Sequence, residues 1–122
     1  MPQPYRICFL GYGRLTDLGR SVVEQFHWTD TEVLITDCNV DSLVQCVNDA
    51  AAKGYEIFVG GAANAAEFFR RARGRLVEIP IRDTDYLLAI QKAMRLGKRP
   101  AVAVYRHSNI PNFQLYSRLM GI

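Results

Sequence analysis

The sequence predicts an α/β fold, an open parallel sheet with helices on both faces. Three observations predict it. Five short apolar runs recur along the chain, RICFLGYG, EVLITDC, YEIFVGG, RLVEIPI and PAVAVYR, and each is followed by a longer segment with helical spacing or a helix start, the alternation expected of parallel strands joined by helices. The runs are nearly continuous in Ile, Leu, Val and Phe rather than alternating with polar residues, which is the pattern of strands covered on both faces. The segments between them carry their own start and stop signals.

Taken in order, the first run ends in GYG and enters a helix that Thr16 can cap. After the second run, Leu43, Val44, Val47, Ala50 and Ala51 of DSLVQCVNDAAAKG form one helical stripe, with Asp41 as candidate cap and Gly54 at the end. The third run, FVGG, passes directly into AANAAEFF, and RRARGR is the exposed end of that helix, where positive charge is favourable. The fourth run leads into RDTDYLLAIQKAMRLGK, where Leu87, Ile90 and Met94 repeat at helical spacing, Asp83 is the candidate N-cap and Gly97 the stop. Beyond the fifth run, Phe113, Leu115, Tyr116, Leu119 and Met120 of IPNFQLYSRLMGI mark a further helix. Residues 1–108 thus read as one α/β lobe. Residues 109–122 read as a helix leading toward a missing or truncated second lobe, the end of a chain that reads either as complete or, in preference, as cut from a larger protein.

The composition of these 122 residues, 49% hydrophobic and 22% charged, is that of a soluble globular domain able to bury a core. A net charge of +3, with cations scattered among acids except at RRARGR, does not imply direct contact with nucleic acid. Cys8, Cys38 and Cys46 are odd in number and lack metal-ligand spacing, and no signal-like segment opens the chain. A reducing cytoplasm is the economical reading. No apolar run reaches the roughly 20 residues that cross a bilayer.

In open parallel sheets, ligands lie at the carboxyl ends of the strands, where strand order reverses. In GYGRLTD, Gly11 and Gly13 permit close backbone approach, Arg14 can pair with a carboxylate or phosphate, and Thr16 can cap the helix. As a dinucleotide fingerprint the loop fails, because Thr16 stands where GxGxxG needs its third glycine. In GGAANA, Gly60 and Gly61 expose backbone at a helix start and Asn64 can cap or hydrogen-bond; close helix-to-sheet packing is the competing explanation of these small residues. Asp37, Asn39 and Asp41 follow the second strand, where they can meet a hydroxyl group or simply enter the helix. Asp83 and Asp85 suit helix capping as well as acid–base work. Arg106 and His107, after the fifth run, are placed to touch a ligand carboxylate. No catalytic set assembles: His27 sits at the far end of the sheet and no cysteine has a histidine near it in sequence. No metal site and no cofactor are expected.

The stretch FVGGAANAAEFFRRARGRLVEIPIRDTDYLLAIQKAMRLGK, with PAVAVYR after it, resembles the N-terminal receptor domain of propionate-catabolism activators, the PrpR-type members of the sigma-54-dependent transcriptional regulators. Gly60, Gly61, Asn64, Ile79, Pro80, Tyr86, Leu87, Ala89, Arg99, Val102 and Tyr105 carry the likeness. It covers about residues 5 to 120 and is densest from 58 to 105. The resemblance implies a flavodoxin-like or chelatase-like lobe, the first of a two-lobe receptor. An effector pocket would lie between the lobes, controlling an attached ATPase module and a DNA-binding module. It implies a small carboxylate effector of the methylcitrate kind, which would suit Arg14, the backbone of Gly60 and Gly61 with Asn64, and Arg106 or His107; Gly11, Gly13, Thr16 and Asp83, singled out from the loops themselves, complete the candidate effector-binding residues. The chain departs from the family in its first loop and in RDTDY, which puts the effector's identity in question. Two other readings stand beside this one: a flavodoxin-like or dinucleotide-binding enzyme, and a domain that serves to form a homodimer.

Overall fold

A computed structural model describes residues 3–27, 29–97, 99–103 and 113–121. These residues fall in two compact units, Met1–Ile79 and Pro80–Ile122. The boundary expected between residues 108 and 109 lies outside the described residues.

The first unit alternates strand and helix: β1 (Tyr5–Gly11), α1 (Arg14–Glu24), β2 (Thr31–Asp37), α2 (Leu43–Ala52), β3 (Ile57–Gly61), α3 (Ala62–Arg71) and β4 (Arg75–Ile79). The strands form one parallel sheet in the order β2-β1-β3-β4. The chain steps from β1 outward to β2, then crosses back over β1 to β3. With right-handed crossovers, that reversal places α1 on one face and α2 and α3 on the other. Side chains confirm the division. Phe9 meets α1, where a Cβ on Gly19 would lie 2.6 Å from its ring. Cys8 and Leu10, its neighbours on the opposite face, join Leu43, Val47, Ala50, Phe58 and Phe68 in the buried core. The Phe58 and Phe68 rings lie 5.4 Å apart and tilted by 45°, a favourable edge-biased packing.

Each of the four strands coincides with an apolar run of the sequence, β1 and β2 beginning one residue before theirs at Tyr5 and Thr31, and the α/β class with helices on both faces is the one the sequence predicts. Of the expected fifth strand, residues 101–103 are described and are not in a strand; residues 104–112, with Arg106 and His107, lie outside the described residues. The second unit contains α4 (Asp83–Leu96) and α5 (Phe113–Met120).

Three caps differ from expectation. At α1 the N-cap residue is Gly13, no side chain caps the helix, and Thr16 lies inside its first turn. At α2 the loop is tied by Asn39 rather than Asp41: the Asn39 Oδ1 accepts the N–H groups of Asp41 and Ser42, each at 3.0 Å. At α4 the N-cap residue is Arg82, and Asp83 is the first helical residue. The capping carboxylate there is Asp85, which accepts the Arg82 N–H at 2.8 Å, the geometry of an acid serving the third helical position. At the end of α3, Arg70 and Arg71 both bind the carboxylate of Glu67, at 2.7 and 3.1 Å; Glu67 is only 1% exposed. The arginines satisfy a buried acid that would otherwise be costly.

Candidate functional site

The carboxyl ends of β1, β2 and β3 lie side by side, with Gly11 opposite Asp37 and Leu10 opposite Gly60. Strand order reverses at β1, so a crevice opens between β1 and β3, the position where open parallel sheets take ligands. Three loops form its rim.

The first is the turn from β1 into α1. Gly11 is buried, and a Cβ there would lie 2.7 Å from the Thr16 Oγ1 and 2.9 Å from the Thr16 N and Cα. The absence of a side chain is what lets the first turn of α1 rest on the strand end. Gly13 has φ +56, a conformation that glycine adopts without strain. Asp37, at the end of β2, then fastens this turn: its Oδ1 accepts the Gly13 N–H at 2.8 Å and the Thr16 hydroxyl at 2.5 Å. The Thr16 hydroxyl, and after it the Gly13 N–H, hold the Asp37 carboxyl below its usual range, so a fixed negative charge stands on the rim at neutral pH. Gly13 and Thr16, both predicted ligand contacts, therefore spend these donors inside the protein. Arg14, exposed and without a side-chain partner among the described residues, is what this turn offers outward. Thr16 also accounts for the failed dinucleotide fingerprint, since the position of the third glycine is given to the residue that holds Asp37.

The second loop, after β2, is joined to the first by the Cys38 N–H, which donates to the Gly11 carbonyl at 2.7 Å. Burial first, and then Cys46 beside it, pushes the Cys38 thiol up to about 12. Burial likewise raises Cys8. Neither is a nucleophile at neutral pH.

The third is the junction of β3 and α3. A Cβ on Gly61 would lie 3.3 Å from the Cβ and the carbonyl oxygen of Ile79 on β4, and one on Gly60 would lie 3.4 Å from the Leu10 carbonyl. Close packing within the sheet thus favours glycine at position 61, where a side chain would press on Ile79, and more weakly at position 60. Asn64 is 6% exposed, and its amide nitrogen donates to the Cys38 carbonyl at 3.0 Å and reaches the Leu10 carbonyl at 3.5 Å. It fastens α3 to the ends of β1 and β2. Ala62 begins α3 with φ +50, and no side chain caps the helix.

Of the predicted contacts, the structure brings Gly11, Gly13, Arg14, Thr16, Gly60, Gly61 and Asn64 to this one rim. Asp83 belongs to the second unit, half-buried at the start of α4. Asp37 is the residue whose weight sequence reasoning missed; an acid closing the second strand, with a threonine in the first helical turn, is the signal that pointed to it. Among the described residues, no group of three or more His, Cys, Asp or Glu is placed to hold a metal ion, and no helix is long and apolar enough to cross a membrane.

A four-stranded parallel sheet in the order β2-β1-β3-β4, with helices on both faces, is an α/β fold of the flavodoxin-like kind. The propionate catabolism activator family matches residues 28–122, and the chain belongs to that family as its N-terminal domain. It is a regulatory sensing domain. The match begins after α1, so Gly11 to Thr16 precede it. No curated protein and no solved structure matches the chain.

Proposed function

We propose that the chain senses a small carboxylate effector of the methylcitrate kind, in the cytoplasm, as part of a sigma-54-dependent transcriptional activator. The observation that carries this reading is the first turn of α3. It begins at the crevice beside β1, no side chain caps it, and its N–H groups point toward the carboxyl-end rim, where a carboxylate is favoured. Arg14 supplies a cation on the same rim. Asp37 repels a second carboxylate but accepts a hydroxyl, so a hydroxylated acid suits the rim better than a plain one. Effector binding would shift the population of states of the attached ATPase and DNA-binding modules, which requires unequal affinity for those states.

Isothermal titration of the chain with citrate and methylcitrate tests the proposal, with Arg14→Ala as the variant. Arg14 is exposed, so its loss should leave the fold intact while weakening binding about tenfold or more. Methylcitrate that does not bind, or binds the variant equally well, refutes it. Gly61 is the wrong probe, because a side chain there strikes Ile79.

A further inference from the structure

At the amino ends of the strands, away from the carboxyl-end rim, the first unit opens two adjoining cavities of about 350 and 540 Å³ that share Tyr5, Glu56 and Ile57. The larger is within the roughly 300–1,000 Å³ typical of small-molecule sites. Its walls are aromatic: Tyr5, 64% exposed, Tyr55, and the edge of Phe58. Gly74, at φ +131, turns the chain in a conformation that side chains rarely adopt, and it lies against the Phe58 and Phe68 rings.

Charge is distributed in it unusually. Arg73 and Arg75 flank Gly74, and Glu56 lies on the same lining. Among the described residues, none of these three side chains makes an ion pair or hydrogen bond. Nearby cations do: Arg6 binds Glu32 at 3.3 Å and the Lys53 carbonyl at 3.0 Å, and Arg70 and Arg71 bind Glu67. Two cations and an acid thus share one aromatic cavity without meeting.

We propose that this cavity binds the zwitterion of an α-amino acid with an aromatic side chain. The carboxylate pairs with Arg73 and Arg75, the ammonium group with Glu56, and the ring packs on Tyr5, Tyr55 and Phe58. A plain carboxylate would leave Glu56 facing it, and a plain amine would face two guanidinium groups. Only a molecule bearing both charges satisfies the lining. The site is separate from the proposed effector rim and does not depend on it.

The test is to titrate the chain with L-phenylalanine, 3-phenylpropionate and 2-phenylethylamine, following heat and backbone amide shifts. L-Phenylalanine should move the amides of Tyr55, Gly74 and Arg75, and each singly charged analogue should bind at least about tenfold more weakly. Replacing both Arg73 and Arg75 by alanine should abolish binding, and Glu56→Gln should bring L-phenylalanine and 3-phenylpropionate to similar affinity. Citrate, on the effector reading, moves Gly13 and Ala62 instead, so the two ideas fail separately. Absence of shifts at Tyr55 and Gly74 with millimolar L-phenylalanine, or equal binding of 3-phenylpropionate by the unaltered chain, overturns the proposal.

Discussion

Gly11→Ala sets a methyl carbon 2.7 Å from the Thr16 hydroxyl oxygen and 2.9 Å from the Thr16 N and Cα. Folded proteins do not hold carbon atoms that close, so something must move. The hydroxyl could rotate away, but the two backbone contacts belong to the first turn of α1 and yield only if that turn lifts from β1. Lifting it draws Gly13 and Thr16 away from Asp37 as well. Overpacking of this kind costs about 1–3 kcal/mol, and the upper half of that range applies because backbone is struck. At roughly 4 °C per kcal/mol for a domain of this size, the melting temperature should fall by about 8–12 °C. Urea denaturation followed by circular dichroism gives the free energy, with two glycines as controls. Gly13 has φ +56 and ψ −121, outside the left-handed helical region, but nothing within 4 Å of its Cβ position, so alanine there should cost only its backbone strain, about 1–3 kcal/mol. Gly97, extended and in open space, should tolerate alanine to within about 0.5 kcal/mol. Adding Thr16→Ala to Gly11→Ala should rescue little, since it removes one of three close contacts and also a hydrogen bond to Asp37. A Gly11→Ala variant as stable as Gly97→Ala, or one fully restored by Thr16→Ala, would refute the account of the β1–α1 turn.

Three further outcomes follow from the same geometry. The Asp37 pKa is depressed in the folded chain, so its contribution to stability is present above the unfolded carboxyl value near pH 4 and is lost as pH falls through the lower folded value; Asp37→Asn should flatten the acid limb of a stability–pH curve measured by denaturation. With burial holding Cys38 near 12 and raising Cys8, mass spectrometry after iodoacetamide treatment at pH 7.5 should show both unmodified in the folded chain and modified in urea. Phe68→Ala should cost about 3–5 kcal/mol, because a fully buried ring stacked on Phe58 leaves a cavity that α3 cannot close; a loss below about 1.5 kcal/mol by the same denaturation would contradict the core described here.

The strands were legible because burial on both faces leaves continuous apolar runs, a signal that needs no knowledge of neighbours. The caps were less so. NVDS and RDTD each offer several short polar residues within one turn, and loop geometry alone decides that Asn39 ties the loop before α2, whose N-cap is Ser42, and that Asp85 serves the cap of α4. The carboxyl-end rim was legible as a place, since strand-to-helix turns rich in glycine can be read from sequence. The duties of its residues were not. Asn64 bonds to carbonyls 54 and 26 positions away, and Gly61 packs tightly on Ile79, its neighbour across the sheet. Such partners exist only once the strand order is set.

The placement of Asp37 bears on what a rim of this kind can sense. A helix start with free N–H groups attracts anions indiscriminately, and phosphate, sulfate and every metabolic acid would compete there. Asp37 changes that balance. Its carboxylate is held ionised by Thr16 and then Gly13, both of which donate to Oδ1. On the proposed reading, an acid that approaches α3 must keep its other charges clear of Asp37 or bring a hydroxyl donor to Oδ2. Water screens the repulsion from this exposed carboxylate, so Asp37 grades acids by where they carry charge and hydroxyl rather than excluding them. Asp37→Asn should therefore narrow the difference in affinity between methylcitrate and its analogue lacking the hydroxyl. An unchanged difference would mean that the carboxylate serves only to fasten α1.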